Sequence, residues 1–150
     1  MRRLAPQCLL VLLVPVMLAP TRQQAPTTSP RFAYLDVFID PRGSALAAYQ
    51  FELNVDQNAA TIVGVEGGEH VAFNAAPYYD PAALTYGRII IAAFNTGSDL
   101  PTAKTRVARL HLRIASSAPE YRVSLETAAD ASGKKLDQAV ISFDEKGNTP

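Results

Sequence analysis

Residues 106–114, RVARLHLRI, alternate between apolar and polar side chains, and this two-residue period recurs along most of the chain. The apolar side of the segment consists of Ala108, Leu110, Leu112 and Ile114. The other side is cationic and consists of Arg109, His111 and Arg113, with Arg106 near it. Because successive side chains of a β-strand leave opposite faces of a sheet, this period predicts a strand with one buried and one solvated face.

Seven further segments predict strands by alternation or by β-branched and aromatic content. They are FAYLDVFI (32–39), YQFELNVD (49–56), ATIVGVEG (60–67), EHVAF (69–73), RIIIAAF (88–94), YRVSLETA (121–128) and AVISF (139–143). RIIIAAF is apolar on both sides, which predicts a strand that is covered on both faces or lies at the centre of a sheet.

Turn-forming Gly, Asn, Asp and Pro residues separate these segments, and helical signals are almost absent. The one helical signal is a short turn with Asp80 as its cap and Pro81 at its first position. Eight to nine short strands at close spacing predict an all-β fold, an antiparallel β-sandwich of jelly-roll type.

Residues 1–25 have the pattern of a secretory signal peptide. Arg2 and Arg3 precede an apolar run over residues 8–18, which is shorter than an ordinary membrane span. We expect cleavage within residues 19–25 and an extracellular or periplasmic location. The alternative is an N-terminal membrane anchor that is retained.

Removal of this peptide changes the chemistry of the chain. The only cysteine, Cys8, is lost, so the mature chain has no disulfide and no cysteine-bearing metal site. Three of the 14 basic residues are also lost, which leaves 11 against 14 acidic ones, a net charge of about −3. An acidic chain argues against nucleic acid or anionic lipid as the main partner. We expect a flexible tether over 26–31, the sandwich over 32–146 and a tail over 147–150.

The succession of strands resembles that of cohesin domains, which are secreted β-sandwiches of jelly-roll type. The resemblance extends over residues 33–146 and rests on two motifs. The first, F-x-L-x-[YV]-D, is matched by Phe51, Leu53, Val55 and Asp56. The second, L-x-[LF]-x-[VI], is matched by Leu110, Leu112 and Ile114. Cohesins usually have nine strands, and the first of these has no counterpart here.

The resemblance implies a non-catalytic module that binds a protein partner, such as a dockerin-like segment, through one sheet face. It places this partner-binding face on the strand of residues 49–56. The polar side chains of that strand are Gln50, Glu52 and Asn54.

The resemblance places the cationic strand in the opposite sheet, beside residues 32–39. There Asp36 and Asp40 would share a face with the cations. We therefore interpret the cationic stripe as a solvated face with local charge pairs; the competing hypothesis is an anion site, which requires the cations to converge.

Carbohydrate binding is the alternative function. PYYDPAALTYG (77–87) carries Tyr78, Tyr79 and Tyr86, and an aromatic ring with a hydroxyl group suits a polysaccharide that is partly apolar and partly wet. The competing interpretation is that these tyrosines cover the open end of the sandwich. A sheet face is a second place where a polysaccharide would bind.

Catalytic motifs are absent from the sequence. His70 and His111 lie on different predicted strands without a nearby Cys, and no HExxH, GxSxG or phosphate-binding loop occurs. We therefore expect no enzyme activity, with a small hydrolase as the third hypothesis. No cofactor is expected; the alternative is a structural calcium ion near Asp130 and Asp137, where EF-hand spacing is missing.

Overall fold

The computed structural model describes residues 29–115 and 118–147. The predicted signal peptide, the first three of the six residues of the predicted tether and the last three residues of the predicted tail lie outside the described residues. The strands are β1 (Arg31–Asp40), β2 (Ala48–Val55), β3 (Ala60–Gly67), β4 (Arg88–Phe94), β5 (Thr105–Ile114), β6 (Tyr121–Ala129) and β7 (Val140–Gly147). Two short 3-10 helices, Val71–Phe73 and Pro81–Thr85, connect β3 to β4. Within the described ranges, no helix is long and apolar enough to cross a bilayer.

The strands form two antiparallel sheets, so that the predicted β-sandwich is confirmed. The larger sheet has the strand order β3-β5-β1-β7, and the smaller sheet has the order β4-β2-β6. The cationic strand β5 therefore lies beside β1 and in the sheet opposite β2, as the resemblance implies. The strand count in the described residues is seven rather than eight to nine.

The EHVAF segment was predicted as a strand, and this prediction is wrong. The segment ends in the 3-10 helix Val71–Phe73, and His70 caps it by accepting a hydrogen bond from the Ala72 amide on Nδ1 at 3.2 Å. In contrast, the predicted turn at Pro81 is confirmed: Asp80 Oδ1 accepts from the Ala82 amide at 2.9 Å.

The inner faces of the two sheets enclose one hydrophobic core. Its fully buried side chains include Leu35, Val37 and Ile39 of β1, Phe51 and Leu53 of β2, Ile89 and Ile91 of β4, and Leu110 and Leu112 of β5. Tyr49 connects the sheets, because its hydroxyl donates to the Val107 carbonyl at 2.8 Å. Burial raises the pKa of this hydroxyl, so that it stays a donor.

β4 lies at the edge of the smaller sheet, which corrects the prediction of a strand covered on both faces or at a sheet centre. Beyond it, only the bridge between Tyr78 and Ala92 continues the pairing among the described residues. Ile89 and Ile91 are buried, but Ile90 is 38% exposed and Phe94 is 65% exposed. An apolar strand thus presents alternate side chains to solvent.

Candidate functional site

The outer face of the smaller sheet, called here the small-sheet face, collects side chains from three strands. β2 contributes Gln50, Glu52 and Asn54; β4 contributes Arg88, Ile90, Ala92 and Phe94; β6 contributes Arg122, Ser124 and Thr127. Tyr78 extends the face beyond β4. The predicted partner-binding residues therefore lie together on one side of the sandwich, although nothing in this geometry tests their role.

At one end of the small-sheet face, Glu52 is the centre of a polar network. Arg88 Nη2 donates to Glu52 Oε2 at 2.5 Å, and Asn54 Nδ2 donates to Glu52 Oε1 at 2.7 Å. The hydrogen bond from Arg88, with that from Asn54, holds the pKa of Glu52 below its usual range. Glu52 and Asn54, two of the three predicted residues, thus hold each other's side chains in place, while Gln50 is exposed.

The face also carries an apolar patch along β4, formed by Tyr78, Ile90 and Phe94. Ile90 lies directly opposite Glu52, and Phe94 lies at the far end of the strand. The rings of Tyr78 and Phe94 stack with their centroids 6.0 Å apart and an interplanar angle of 9°. Tyr78 is 68% exposed, as much as any large hydrophobic side chain in the described ranges, and Phe94 and Ile90 are exposed beside it. A contiguous exposed apolar patch on a sheet marks a contact surface more often than single apolar residues do.

Sequence reasoning missed Arg88, Ile90 and Phe94. The signal was present: within RIIIAAF, these residues and Ala92 occupy one parity, and the two isoleucines of the core occupy the other. The apolar composition of the segment hid this alternation.

The three tyrosines of the carbohydrate alternative do not share one cavity. Tyr78 and Tyr79 border a groove of about 440 Å³ along β4, and Tyr79 also packs against the core. Tyr86, which is 68% exposed, borders a separate depression of about 500 Å³. Arg88 lies between the two.

The cationic residues of β5 lie on the outer face of the larger sheet, called here the large-sheet face. Asp36 of β1 is directly opposite Arg109 and only 2% exposed. Arg109 donates to both carboxylate oxygens of Asp36, from Nε at 2.7 Å and from Nη2 at 2.9 Å, and Arg106 Nη1 adds a contact at 3.3 Å. The guanidinium of Arg109 also lies over the Tyr34 ring, 4.1 Å from its centroid.

These contacts decide the ionisation of Asp36. Burial opposes its charge, but the hydrogen bonds from Arg109 and Arg106 outweigh burial and lower the pKa of the carboxyl group below its ordinary value. Two further groups of this face have local partners: His111 lies 2.8 Å from Glu66, and Asp40 lies 3.2 Å from Arg42 in the following turn. Arg113 is exposed. Arg106 and Arg109 both bind the carboxylate of Asp36, and His111 contacts Glu66, so these three cations of β5 are engaged by carboxylates within the domain. Among the described residues they therefore do not form an open anion site.

Asp130 and Asp137, the candidate calcium ligands, contact residues close to them in the sequence. Asp130 Oδ1 accepts hydrogen bonds from Ser132 and from the Lys134 amide, and these bonds, that from Ser132 foremost, lower the pKa of Asp130. Asp137 is exposed and lies 3.9 Å from Lys135. Residues 29–115 and 118–147 contain no group of three or more His, Cys, Asp or Glu side chains that could hold a metal ion.

Two solved structures share this fold. One is a crystal structure of a CaDoc0917–CaCohA2 complex, with a TM-score of 0.56, 16% identity, and coverage of 69% of this chain and 80% of that chain. The other is the seventh ScaB type I cohesin from Pseudobacteroides cellulosolvens, with a TM-score of 0.52, 13% identity, and coverage of 70% and 73%. No protein-family model matches the sequence, and no curated protein matches it. The domain has a cohesin-like fold.

Proposed function

We propose that this chain is an exported, non-catalytic binding module that docks a protein partner of dockerin kind on the small-sheet face. The cohesin-like fold supports a binding module, and the CaCohA2 structure contains a bound partner. Export rests on the signal-peptide pattern of residues 1–25.

The apolar patch carries this proposal. Interfaces depend on a few large side chains that are exposed before binding and desolvated in the complex, and aromatic residues are enriched among them. Tyr78 and Phe94 are already stacked on each other in the free domain. A partner that covers them therefore gains apolar burial with little loss of side-chain freedom.

The polar network beside the apolar patch supplies geometry and selectivity. Glu52 is held by Arg88 and Asn54, so that a partner meets a fixed arrangement of charges rather than mobile side chains. A rigid strand pair underneath, β2 with β4, keeps the network and the apolar patch in a constant relative position. Such a preformed surface lowers the entropy cost of association.

The experiment is affinity capture by the immobilised protein from the exported proteins of its source, followed by measurement of the dissociation constant with the purified captured protein. Replacing both Tyr78 and Phe94 with alanine should weaken binding by about 30-fold or more, since aromatic hot spots contribute about 2 kcal/mol or more. Phe32→Ala is the matched control, because Phe32 is 59% exposed on the large-sheet face. We expect it to bind normally.

A second variant tests the residues that the sequence predicts. The double change Glu52→Ala and Asn54→Ala removes the network but leaves the apolar patch, and we expect it to weaken binding less than loss of the two rings. Equal affinity of the Tyr78/Phe94 variant and the unchanged protein would exclude the small-sheet face as the docking surface. Retention of a polysaccharide with no captured protein would favour the carbohydrate alternative instead.

A further inference from the structure

A depression of about 500 Å³ lies at the end of the sandwich where β2 ends and β4 and β6 begin. This volume is within the range of about 300–1,000 Å³ that is typical of ligand sites. The depression adjoins the small-sheet face, and the two share Asn54, Arg88 and Arg122. The exposed ring of Tyr86 borders it and does not belong to the apolar patch.

The backbone around Tyr86 is held in place. The Val55 amide donates to the Gly87 carbonyl at 2.7 Å, and Gly87 has a φ of +67°, a conformation that favours glycine. A Cβ atom at this position would lie 2.5 Å from the Val55 carbonyl oxygen, so the close approach requires glycine. The Tyr86 amide donates to the Ala83 carbonyl at the end of the capped 3-10 helix. The ring is therefore presented from a defined backbone position.

The charges around the depression balance. Arg88 and Arg122 are offset by Asp56 and Glu120, so the lining has no net charge. Net charge therefore favours neither an anionic nor a cationic ligand, which differs from the converging cations that bind phosphate or carboxylate.

The lining also offers donors and acceptors side by side. Asp56 Oδ1 accepts from the amide and the Nδ2 of Asn58, which orders the turn and leaves the Asn58 carbonyl oxygen as an acceptor. The side chains of Gln57 and Arg122 are exposed and also line the depression. Hydroxyl groups of a sugar both donate and accept, and the carbon face of a pyranose packs on an aromatic ring.

We infer that this depression is a binding site for a neutral oligosaccharide segment, with the sugar stacked on Tyr86 and its hydroxyl groups bonded to Gln57, Asn58 and Arg122. The site borders the small-sheet face, to which the protein-docking proposal assigns the partner, and does not include the apolar patch of that face. It therefore adds a second ligand class rather than replacing the first.

The test is affinity electrophoresis of the purified protein in native gels that contain hydroxyethyl cellulose, arabinoxylan or galactomannan, with polygalacturonate as the anionic comparison. We expect at least one neutral polysaccharide to retard the protein. Tyr86→Ala should weaken the apparent affinity by about tenfold, since a stacking ring is lost. Gln57→Ala should weaken it by about threefold, since one hydrogen bond is lost.

Phe32→Ala is the matched control, because Phe32 is an exposed aromatic residue (59%) on the large-sheet face and lies outside the depression. Normal retardation of Phe32→Ala beside weakened Tyr86→Ala would support the site. The inference is overturned if no neutral polysaccharide retards the protein, if only polygalacturonate does so, or if Phe32→Ala loses as much affinity as Tyr86→Ala. Both exchanges are at exposed positions, and an unchanged thermal unfolding temperature checks that the variants are folded.

Discussion

The two outer faces of this sandwich arise from the same alternation of side chains but differ in which side chains they expose to solvent. On the large-sheet face, Asp36 is buried beneath Arg109 and Arg106, and His111 of β5 contacts Glu66 of β3. On the small-sheet face, Glu52 and Arg88 also pair, but the rings of Tyr78 and Phe94 remain in solvent.

This difference separates a structural role from a binding role. Charged side chains that already pair with one another within the domain contribute little to the binding of a partner. The exposed apolar rings are not covered by other parts of the domain, and burying them requires a second molecule. We therefore propose the small-sheet face, and not the large-sheet face, as the docking surface.

The largest expected effect concerns the stability role of the large-sheet face. Asp36→Ala leaves Arg109 and Arg106 without their buried carboxylate, and we expect it to lower the free energy of unfolding by about 3 kcal/mol. Urea denaturation measures this. Asp144→Ala is the matched control, since Asp144 lies opposite Asp36 on β7 but is exposed. A loss for Asp36→Ala no greater than that of the control would show that the cluster does not stabilise the fold.

The pH dependence of this effect follows from the lowered pKa of Asp36. A carboxyl group whose pKa is lower in the folded state stabilises the fold above its ordinary pKa, and this stabilisation is lost as the pH falls through the lowered value. The stability difference between the unchanged protein and Asp36→Ala should therefore shrink between about pH 5 and about pH 2. Denaturation curves across that range measure it, and a difference independent of pH would contradict the assignment to Asp36.

A smaller effect compares the ion pairs of the two faces directly. Double-mutant cycles with alanine at Asp36 and Arg109, and at Glu52 and Arg88, give a coupling energy for each pair. We expect the Asp36–Arg109 coupling to exceed the other, because Asp36 is buried whereas Arg88 is exposed. Equal coupling energies would show that the ion pairs of the two faces stabilise the fold to the same extent.

The smallest expected effect is on the stability of the apolar patch. Phe94→Ala should change the free energy of unfolding by less than about 1 kcal/mol, since the ring is largely in solvent. Ile91→Ala, three residues earlier and fully buried, should cost about 2–5 kcal/mol. A comparable loss in both variants would mean that Phe94 supports the fold rather than a partner.

The alternation of side chains was enough to predict which side of β1, β2 and β5 is buried. In a half-buried strand, apolar residues mark the face toward the core and polar residues mark the face toward solvent. It also predicted that Asp36 and Arg109 share a face, once the two strands were taken as neighbours. The burial of Asp36 was not predictable, because it depends on Arg106 and Arg109 folding over a carboxylate that alternation assigns to solvent.

The candidate site was predicted in part. Gln50, Glu52 and Asn54 were placed on one face, but Ile90 and Phe94 were taken as covered. An apolar strand does not reveal whether a neighbouring layer exists, and here the smaller sheet presents its outer face to solvent. The strand prediction for the EHVAF segment was wrong for a related reason. Five residues of mixed pattern do not distinguish a strand from a capped turn.

The central claim is that a partner covers the small-sheet face, and hydroxyl-radical footprinting of the protein with its captured partner tests it most directly. The method reports side-chain exposure, and Tyr78, Phe94 and Phe32 are all more than half exposed in the free domain. We predict that the complex protects Tyr78 and Phe94 from oxidation and leaves Phe32 as reactive as before. Protection of Phe32, with Tyr78 and Phe94 unchanged, would contradict the claim and assign the partner to the large-sheet face.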